Sequence, residues 1–160
     1  MSSKKTLQIG DKVPVFELYD DRNMLTRMPL REPRWTVLFF YPKDMTSGCT
    51  VEACEFRDAL PKFKKLDARV FGVSPDSVKS HQKFKAKEGL TYPLLSDPEH
   101  TMLEAYGVWV EKSMYGRKYL GVERTTVIID PAGKVAQVFT KVKPAGHADE
   151  VTAWLRAHAG

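Results

Sequence analysis

The chain has 160 residues, enough for one domain with its own core, and its 42% hydrophobic and 28% charged residues are typical of soluble globular proteins. No apolar run is long enough to cross a membrane, and the N-terminus lacks the apolar stretch of a secretory signal. The net charge of +5 permits an anionic partner, but the lysines alternate with acidic residues and no nucleic-acid-binding motif occurs. We therefore expect a single domain over residues 1–160, in the cytoplasm, with neither nucleic acid nor a membrane as partner.

Residues that hold metals or carry redox chemistry are few. Two cysteines cannot form a disulfide framework, and a cytosolic pair is more often catalytic or redox-sensing than structural. The histidines are scattered, without the spacing of metal ligands, so we predict no metal site, and no Gly-rich phosphate loop is present. The residues concerned are Cys49, Cys54, His81, His100, His147 and His158.

The first predicted element is a β-hairpin. Residues 1–12 form a polar start, predicted to be a loose end, and the segments 13–18 and 25–28 flank the turn sequence Asp20-Asp21-Arg22-Asn23. Residues 35–41 then form an unbroken apolar and aromatic run, which is typical of a strand covered on both faces. This strand is predicted to be central.

A strand-to-helix junction follows the central strand. The strand stops at Pro42, and a polar turn leads to a segment with helical period, whose apolar positions are Cys49, Ala53, Phe56 and Leu60. The first N–H groups of a helix lack partners and carry partial positive charge, which favours a thiolate, the nucleophilic form of cysteine. Thr46, three residues before Cys49, can aim its hydroxyl at the sulfur.

The two ends of this helix are predicted from its capping residues and its proline. Thr46 or Ser47 can cap the start, and Glu52 is expected to place an acid in the first turn. Pro61 should break the helix, because proline lacks the N–H that the helix needs, and a short second piece should cover residues 62–66.

The remaining chain alternates between strands and helices. We predict strands over 69–73, 94–95, 125–129 and 135–142, and helices over 77–88, 97–106 and 147–158, while 108–121 is predicted as a loop with some strand. The last two strands are joined by the turn Asp130-Pro131-Ala132-Gly133, which makes the sheet mixed. The order predicts an α/β protein with a mixed central sheet flanked by helices and an N-terminal β-hairpin.

The spacing of the two cysteines constrains their chemistry. Five residues along an ideal helix turn a side chain through about 140° and separate the Cα atoms by roughly 8–9 Å. A disulfide needs less than about 7 Å. Either Cys49 and Cys54 never pair, or the first turns of the helix unwind when they do.

The segment from Pro42 to Asp58 resembles the active-site segment of the peroxiredoxins, and most closely the peroxiredoxin Q subgroup, also called bacterioferritin comigratory proteins. The family pattern Pro-x-x-x-Thr/Ser-x-x-Cys is met by Pro42, Thr46 and Cys49. The second cysteine of the subgroup, five residues later, is met by Cys54. Residues 71–76, 92–97 and 115–130 also agree, so the resemblance extends from about residue 10 to the last helix; Ser47 departs from it, where many members have proline.

The resemblance implies a thioredoxin fold and an atypical two-cysteine peroxidase without a cofactor. Cys49 would attack a peroxide and become a sulfenic acid, and Cys54 would resolve it into an intramolecular Cys49–Cys54 disulfide. Arg124 would hold the thiolate and stabilise negative charge on the leaving oxygen. The implied substrates are hydrogen peroxide and organic hydroperoxides, the implied reductant is thioredoxin or a similar dithiol protein, and the implied state is a monomer.

The neighbours of Cys49 receive roles from the same resemblance. Thr46 would hydrogen-bond the sulfur and the peroxide, and Pro42 would shield the sulfur from water. The backbone N–H groups of Gly48 and Cys49 could bind a peroxide oxygen, as an oxyanion hole does. Glu52 would orient neighbouring groups or only favour the helix end.

The residues alone leave other interpretations open. Both cysteines can be read as packed core residues, and Arg124 as a surface arginine beside a strand. A protein thiol–disulfide oxidoreductase is one alternative function, although such enzymes use Cys-x-x-Cys rather than the longer gap seen here. A redox-switched holdase or binding protein is another.

Overall fold

A computed structural model describes residues 7–159 of the chain. Its helices are α1 (Ser47–Lys65), α2 (Val78–Glu88), α3 (Thr101–Ala105) and α4 (His147–His158). Its strands are β1 (Phe16–Tyr19), β2 (Leu25–Met28), β3 (Trp35–Phe40), β4 (Ala68–Ser74), β5 (Leu94–Ser96), β6 (Trp109–Met114), β7 (Arg117–Val122), β8 (Thr125–Ile129) and β9 (Val135–Phe139). None of the helices in this part of the chain is long and apolar enough to span a bilayer.

The central sheet has five strands in the order β5-β4-β3-β8-β9. β3 pairs in parallel with β4, and β4 with β5, whereas β8 is antiparallel to both β3 and β9. The predicted mixed sheet is therefore confirmed, with β3 at its centre. Because β3 and β8 run in opposite directions, the end of β3 lies beside the start of β8, where Phe40 faces Thr125.

The side chains of β3 alternate between two apolar cores. Val37, Phe39 and Tyr41 face a core that also contains buried residues of α1, α2 and α4. Leu38 and Phe40 face a second core, formed with α3 and residues of the N-terminal hairpin. This alternation follows from the two-residue period of a strand and explains why the whole run is apolar.

The predicted N-terminal hairpin is confirmed, and a second hairpin corrects the sequence analysis. β1 pairs with β2 around a turn in which Asp20 accepts backbone hydrogen bonds from Arg22 and Met24. The segment predicted as a loop with some strand is the full hairpin of β6 and β7. Most of its side chains are exposed, so it lacks the apolar alternation by which a half-buried strand is recognised.

The prediction of a helix break at Pro61 is wrong. α1 continues through Pro61 to Lys65 as one helix of 19 residues. Pro61 is exposed, while Leu60 and Phe63 on either side of it are buried in the core. Packing of these two residues holds both turns in place and outweighs the hydrogen bond that the proline cannot donate.

The boundaries of the other helices agree more closely with those predicted from the sequence. α4 covers the predicted range, and α2 starts after the capping Ser77 and ends at Gly89, which has a left-handed backbone with φ of 63°. α3 starts at Thr101 rather than at residue 97, although Asp97 still accepts a hydrogen bond from the backbone N–H of Leu103.

The predicted loose end is only partly described. Residues 1–6 lie outside the described part of the chain. Residues 10–12 are not loose, because their backbone is hydrogen-bonded to the region of β9. The N–H of Gly10 donates to the carbonyl of Val135, and the N–H of Val135 donates to the carbonyl of Asp11. Lys12 and Lys134 form an isolated antiparallel β-bridge.

Candidate active site

Cys49 lies in the first turn of α1, directly beyond the end of the central strand. It is buried, with 1% of its surface exposed. The first backbone bond of the helix runs from the N–H of Thr50 to the carbonyl of Thr46. The N–H groups of Gly48 and Cys49 therefore have no helical acceptor, and none elsewhere in the described residues. The sulfur thus lies at the positive end of a helix dipole.

Arg124 brings a guanidinium to this sulfur. It precedes β8, whose antiparallel pairing with β3 places it beside the turn that carries Pro42. Its backbone carbonyl accepts from Val142, and its Nη2 atom lies 3.2 Å from Sγ of Cys49. A cation at this distance favours the thiolate over the thiol. The sequence predicted this contact only through the family resemblance.

Glu52 occupies the other side of the same guanidinium. Nη1 of Arg124 donates to Oε1 of Glu52 at 2.6 Å, while Oε2 is buried and has no hydrogen-bond partner among residues 7–159. Burial raises the pKa of Glu52 to about 7, although the charge of Arg124 opposes the shift. Glu52 lies beyond the first turn, which contains no acid, so its predicted role as a first-turn acid is wrong.

Thr46 and Pro42 both lie in the turn that leads from β3 to the helix carrying Cys49. Thr46 is the N-cap residue of α1, but its side chain makes no capping hydrogen bond. Its hydroxyl donates to the carbonyl of Lys43 at 2.9 Å, so its single proton is not directed at the sulfur. The oxygen can still accept a hydrogen bond. Pro42 is half-buried in the turn between β3 and α1.

Cys54 lies one and a half turns further along α1, and both cysteines are free thiols. It is half-buried and its Sγ donates to Oε1 of Glu88 at 3.5 Å. Burial, more than any neighbouring charge, raises the pKa of the Cys54 thiol. The intact helix keeps the two sulfurs apart, as the spacing predicted.

A buried polar network beneath the turn was not predicted from the sequence. The carboxylate of Asp44 accepts hydrogen bonds from Tyr41 at 2.6 Å and Ser80 at 2.8 Å, and lies 2.7 Å from Nδ1 of His81. Asp76 accepts from the backbone N–H of Asp44 at 2.8 Å. Asp44, Asp76 and His81 are close enough to suggest a metal site, but hydrogen bonds within the protein already engage both oxygens of Asp44, one oxygen of Asp76 and both ring nitrogens of His81. The arrangement anchors the turn before Cys49.

Lys112 is a second feature near the site that was not predicted from the sequence. It lies on β6, and burial, followed by the charge of Arg124, lowers its pKa. It adds positive charge near the site. No sequence signal could have identified it, because its hairpin was not predicted.

The fold and the site together define a class of protein. A mixed sheet with the thioredoxin arrangement carries a buried thiol at a helix N-terminus, an arginine on that thiol and a second cysteine on the same helix. Such a site suits a thiol-based redox enzyme.

Comparison with known proteins then gives the family. The model of the AhpC/TSA family matches residues 9–138, and the chain belongs to this family. It is similar to "Peroxiredoxin Bcp" of Xanthomonas campestris, with 52% identity over 78% of each chain. It is also similar to "Peroxiredoxin Bcp" of Bacillus subtilis, with 44% identity over 94% of this chain and 96% of the relative. The peroxiredoxin resemblance and the thiol peroxidase activity predicted from it are thereby confirmed.

Solved structures agree with the sequence relatives. A cysteine-to-serine mutant of PrxQ from Xylella fastidiosa superposes with a TM-score of 0.92 at 39% identity, over 98% of this chain and 99% of that one. The bacterioferritin comigratory protein of Xanthomonas campestris, studied for its alkyl peroxide reduction activity, gives a TM-score of 0.87 at 43% identity, over 94% and 100% of the two chains. These likenesses confirm the thioredoxin fold.

Proposed function

We propose that the chain, a single domain and a cytoplasmic monomer, reduces hydrogen peroxide and organic hydroperoxides through Cys49. The thiolate attacks one peroxide oxygen, the O–O bond breaks, and the second oxygen leaves as water or an alcohol after taking a proton. The 3.2 Å contact between Arg124 and the sulfur is the observation that carries this proposal, because it pairs the nucleophile with a fixed cation.

The surrounding groups stabilise the negative charge that develops on the leaving oxygen. Arg124 and the free N–H groups of Gly48 and Cys49 are donors that are in place before the reaction starts. Thr46 accepts a hydrogen bond from the peroxide, since its own proton is donated to Lys43. Pro42 covers the approach to the sulfur and limits its contact with water.

Cys54 completes the proposed cycle. Its thiol attacks the sulfenic acid of Cys49, an intramolecular Cys49–Cys54 disulfide forms, and water is released. The start of α1 must unwind for this step, because the helical spacing exceeds the reach of a disulfide. A dithiol protein, thioredoxin in this proposal, then reduces the disulfide. The relative with reported alkyl peroxide reduction supports organic hydroperoxides as substrates.

The proposal is tested by intact mass and free-thiol count after one equivalent of hydrogen peroxide. Wild type should lose both thiols within one chain, while Cys54→Ser should give a sulfenic acid at Cys49 that a dimedone-type reagent traps. Retention of both thiols in both proteins would show that Cys49 is an inert core cysteine. Reduction of the disulfide by thioredoxin, followed through NADPH consumption with thioredoxin reductase, tests the reductant.

A further inference from the structure

The stretch of α1 that contains Cys54 is tied to the end of α2 through one residue. Glu88 is the last residue of α2, and its carboxylate accepts the hydrogen bond from the Cys54 thiol at 3.5 Å. Arg57, one turn beyond Cys54 on the same face of α1, donates to the backbone carbonyl of Glu88. That carbonyl lies at the C-terminus of a helix and has no helical donor of its own. Glu88 therefore joins both residues to α2.

The charges around Cys54 act in opposite directions. Burial contributes most to the raised pKa of Cys54, and the hydrogen bond and charge of Glu88 raise it further. Arg57 opposes them. A carboxylate that accepts a thiol proton favours the neutral thiol and repels the thiolate. Only the thiolate is a strong nucleophile, so this contact keeps Cys54 in its less reactive form.

The contact also opposes the movement that resolution requires. Cys54 cannot reach Cys49 while α1 is intact, so the helix between them must open and the thiol must leave its docked position. Next to Cys54, the hydroxyl of the buried Tyr92 donates to the carbonyl of Ala53 at 2.7 Å and holds the helix backbone in place. The hydrogen bond to Glu88 is thus one of the interactions that must break before the sulfurs meet.

We propose that Glu88 is a positioning residue that holds the Cys54 thiol docked against α2 and thereby slows closure of the Cys49–Cys54 disulfide. This inference rests on the proposed function, in which Cys54 resolves a sulfenic acid at Cys49. In that step the Cys54 sulfur bonds to the Cys49 sulfur, the S–O bond breaks, and the hydroxyl leaves with the thiol proton as water. The peroxide has already supplied the oxidising equivalent, so no further oxidant is needed.

A slower closure has a chemical consequence for Cys49. The sulfenic acid persists longer, and a second peroxide can oxidise it to the sulfinic acid before Cys54 arrives. Glu88 therefore sets the balance between turnover and overoxidation.

The test compares Glu88→Gln and Glu88→Ala with wild type in a peroxide-pulse experiment. Stopped-flow tryptophan fluorescence separates oxidation of Cys49 from closure of the disulfide, and quenched samples assign the phases by mass. Glu88→Ala should close the disulfide about two- to tenfold faster, the factor expected for the loss of one hydrogen bond. Glu88→Gln, which keeps an acceptor but no charge, should lie between Glu88→Ala and wild type. Glu99→Gln, which removes a charge from an exposed position, is the matched control.

Two further readouts separate this role from a merely structural one. In the Cys49→Ser background, Glu88→Gln should shift alkylation of Cys54 to lower pH. During repeated turnover with a reductant, Glu88→Ala should accumulate less sulfinic acid at Cys49 than wild type. An unchanged or slower closing phase in both Glu88 variants would overturn the inference, even if wild type forms the disulfide. Failure of wild type itself to form the disulfide would overturn the proposed role of Cys54 as well.

Discussion

Nη2 of Arg124 lies 3.2 Å from Sγ of Cys49, although the two residues are 75 positions apart in the chain. The same guanidinium is held from its other side by Glu52, at 2.6 Å. Arginine suits this position because its rigid fork can face two acceptors at once, which a lysine ammonium on a flexible stem cannot do with the same geometry.

Replacing this arginine should slow the peroxide reaction strongly. In Arg124→Lys, one ammonium must serve either the sulfur or Glu52, so one of the two fixed interactions is lost. The second-order rate constant for oxidation of Cys49 by hydrogen peroxide should fall by about 10²-fold, the usual effect of removing one fixed donor from a reacting centre. Stopped-flow fluorescence measures this constant directly. Arg69→Lys, at the one exposed position of β4, is the control. A rate within threefold of wild type in Arg124→Lys would contradict this role of the guanidinium.

The buried carboxyl of Glu52 should make stability depend on pH. Its pKa is raised to about 7, so the folded state holds its proton at a pH where the unfolded state has released it. The stabilisation is complete below the unfolded pKa near 4.5 and is lost as the pH rises through about 7. Glu52→Gln should remove this dependence, which amounts to at most about 3 kcal/mol.

The measurement is urea unfolding of the reduced protein at pH 5 and pH 8, for wild type and Glu52→Gln. The difference in unfolding free energy between the two pH values should be smaller in the variant. Glu99→Gln, at an exposed position, should behave as wild type. An identical pH dependence in wild type and Glu52→Gln would mean that other groups cause it.

The sequence predicted correctly those helices and strands that are determined by a few neighbouring residues. The last helix was predicted at its observed bounds, and the helix predicted over 77–88 is observed as α2, which begins at Val78 after its cap Ser77. The predictions from the sequence were wrong where tertiary packing determines whether a helix or strand forms. Burial of Leu60 and Phe63 carries α1 through Pro61, and the exposed β6–β7 hairpin has no pattern that distinguishes it from a loop.

The candidate active site likewise contains residues that local sequence could place and residues that it could not. Cys49 could be placed at a helix start from local sequence, since the apolar run, the turn and the helical period are adjacent. Arg124 reaches it only through the pairing of β3 with β8, and spacing along the chain does not reveal this. The proton of the Thr46 hydroxyl was expected at the sulfur, but the hydroxyl donates to the carbonyl of Lys43 at 2.9 Å.

The ease with which α1 opens should control how quickly the disulfide closes. Val51 lies between the cysteines with 42% of its surface exposed, so substitutions there change helix propensity with little loss of packing. Alanine favours the helix over glycine by about 1 kcal/mol, which corresponds to about a fivefold difference in opening. Val51→Ala should therefore close the disulfide more slowly than Val51→Gly by about this factor. Mass analysis of samples quenched after a peroxide pulse measures the rates, and equal rates would show that opening of this turn does not limit closure.

The polar network under the active-site turn should stabilise both the fold and the thiol. Asp44 is 4% exposed, and its carboxylate accepts from Tyr41 and Ser80 and contacts His81, whose Nε2 donates to the carbonyl of Leu95 at 2.9 Å. In Asp44→Asn, the amide nitrogen replaces a carboxylate oxygen that accepts from Tyr41 or from Ser80, and the negative charge beside His81 is lost. We expect a loss of about 3 kcal/mol in unfolding free energy, the scale of breaking a buried charged contact.

Reaction of Cys49 with peroxide should also slow in Asp44→Asn, because the turn that carries Thr46 loses its anchor. Urea unfolding and stopped-flow oxidation measure the two effects, with the exposed Asp149→Asn as control, and a variant as stable as wild type would show that the network does not hold the turn.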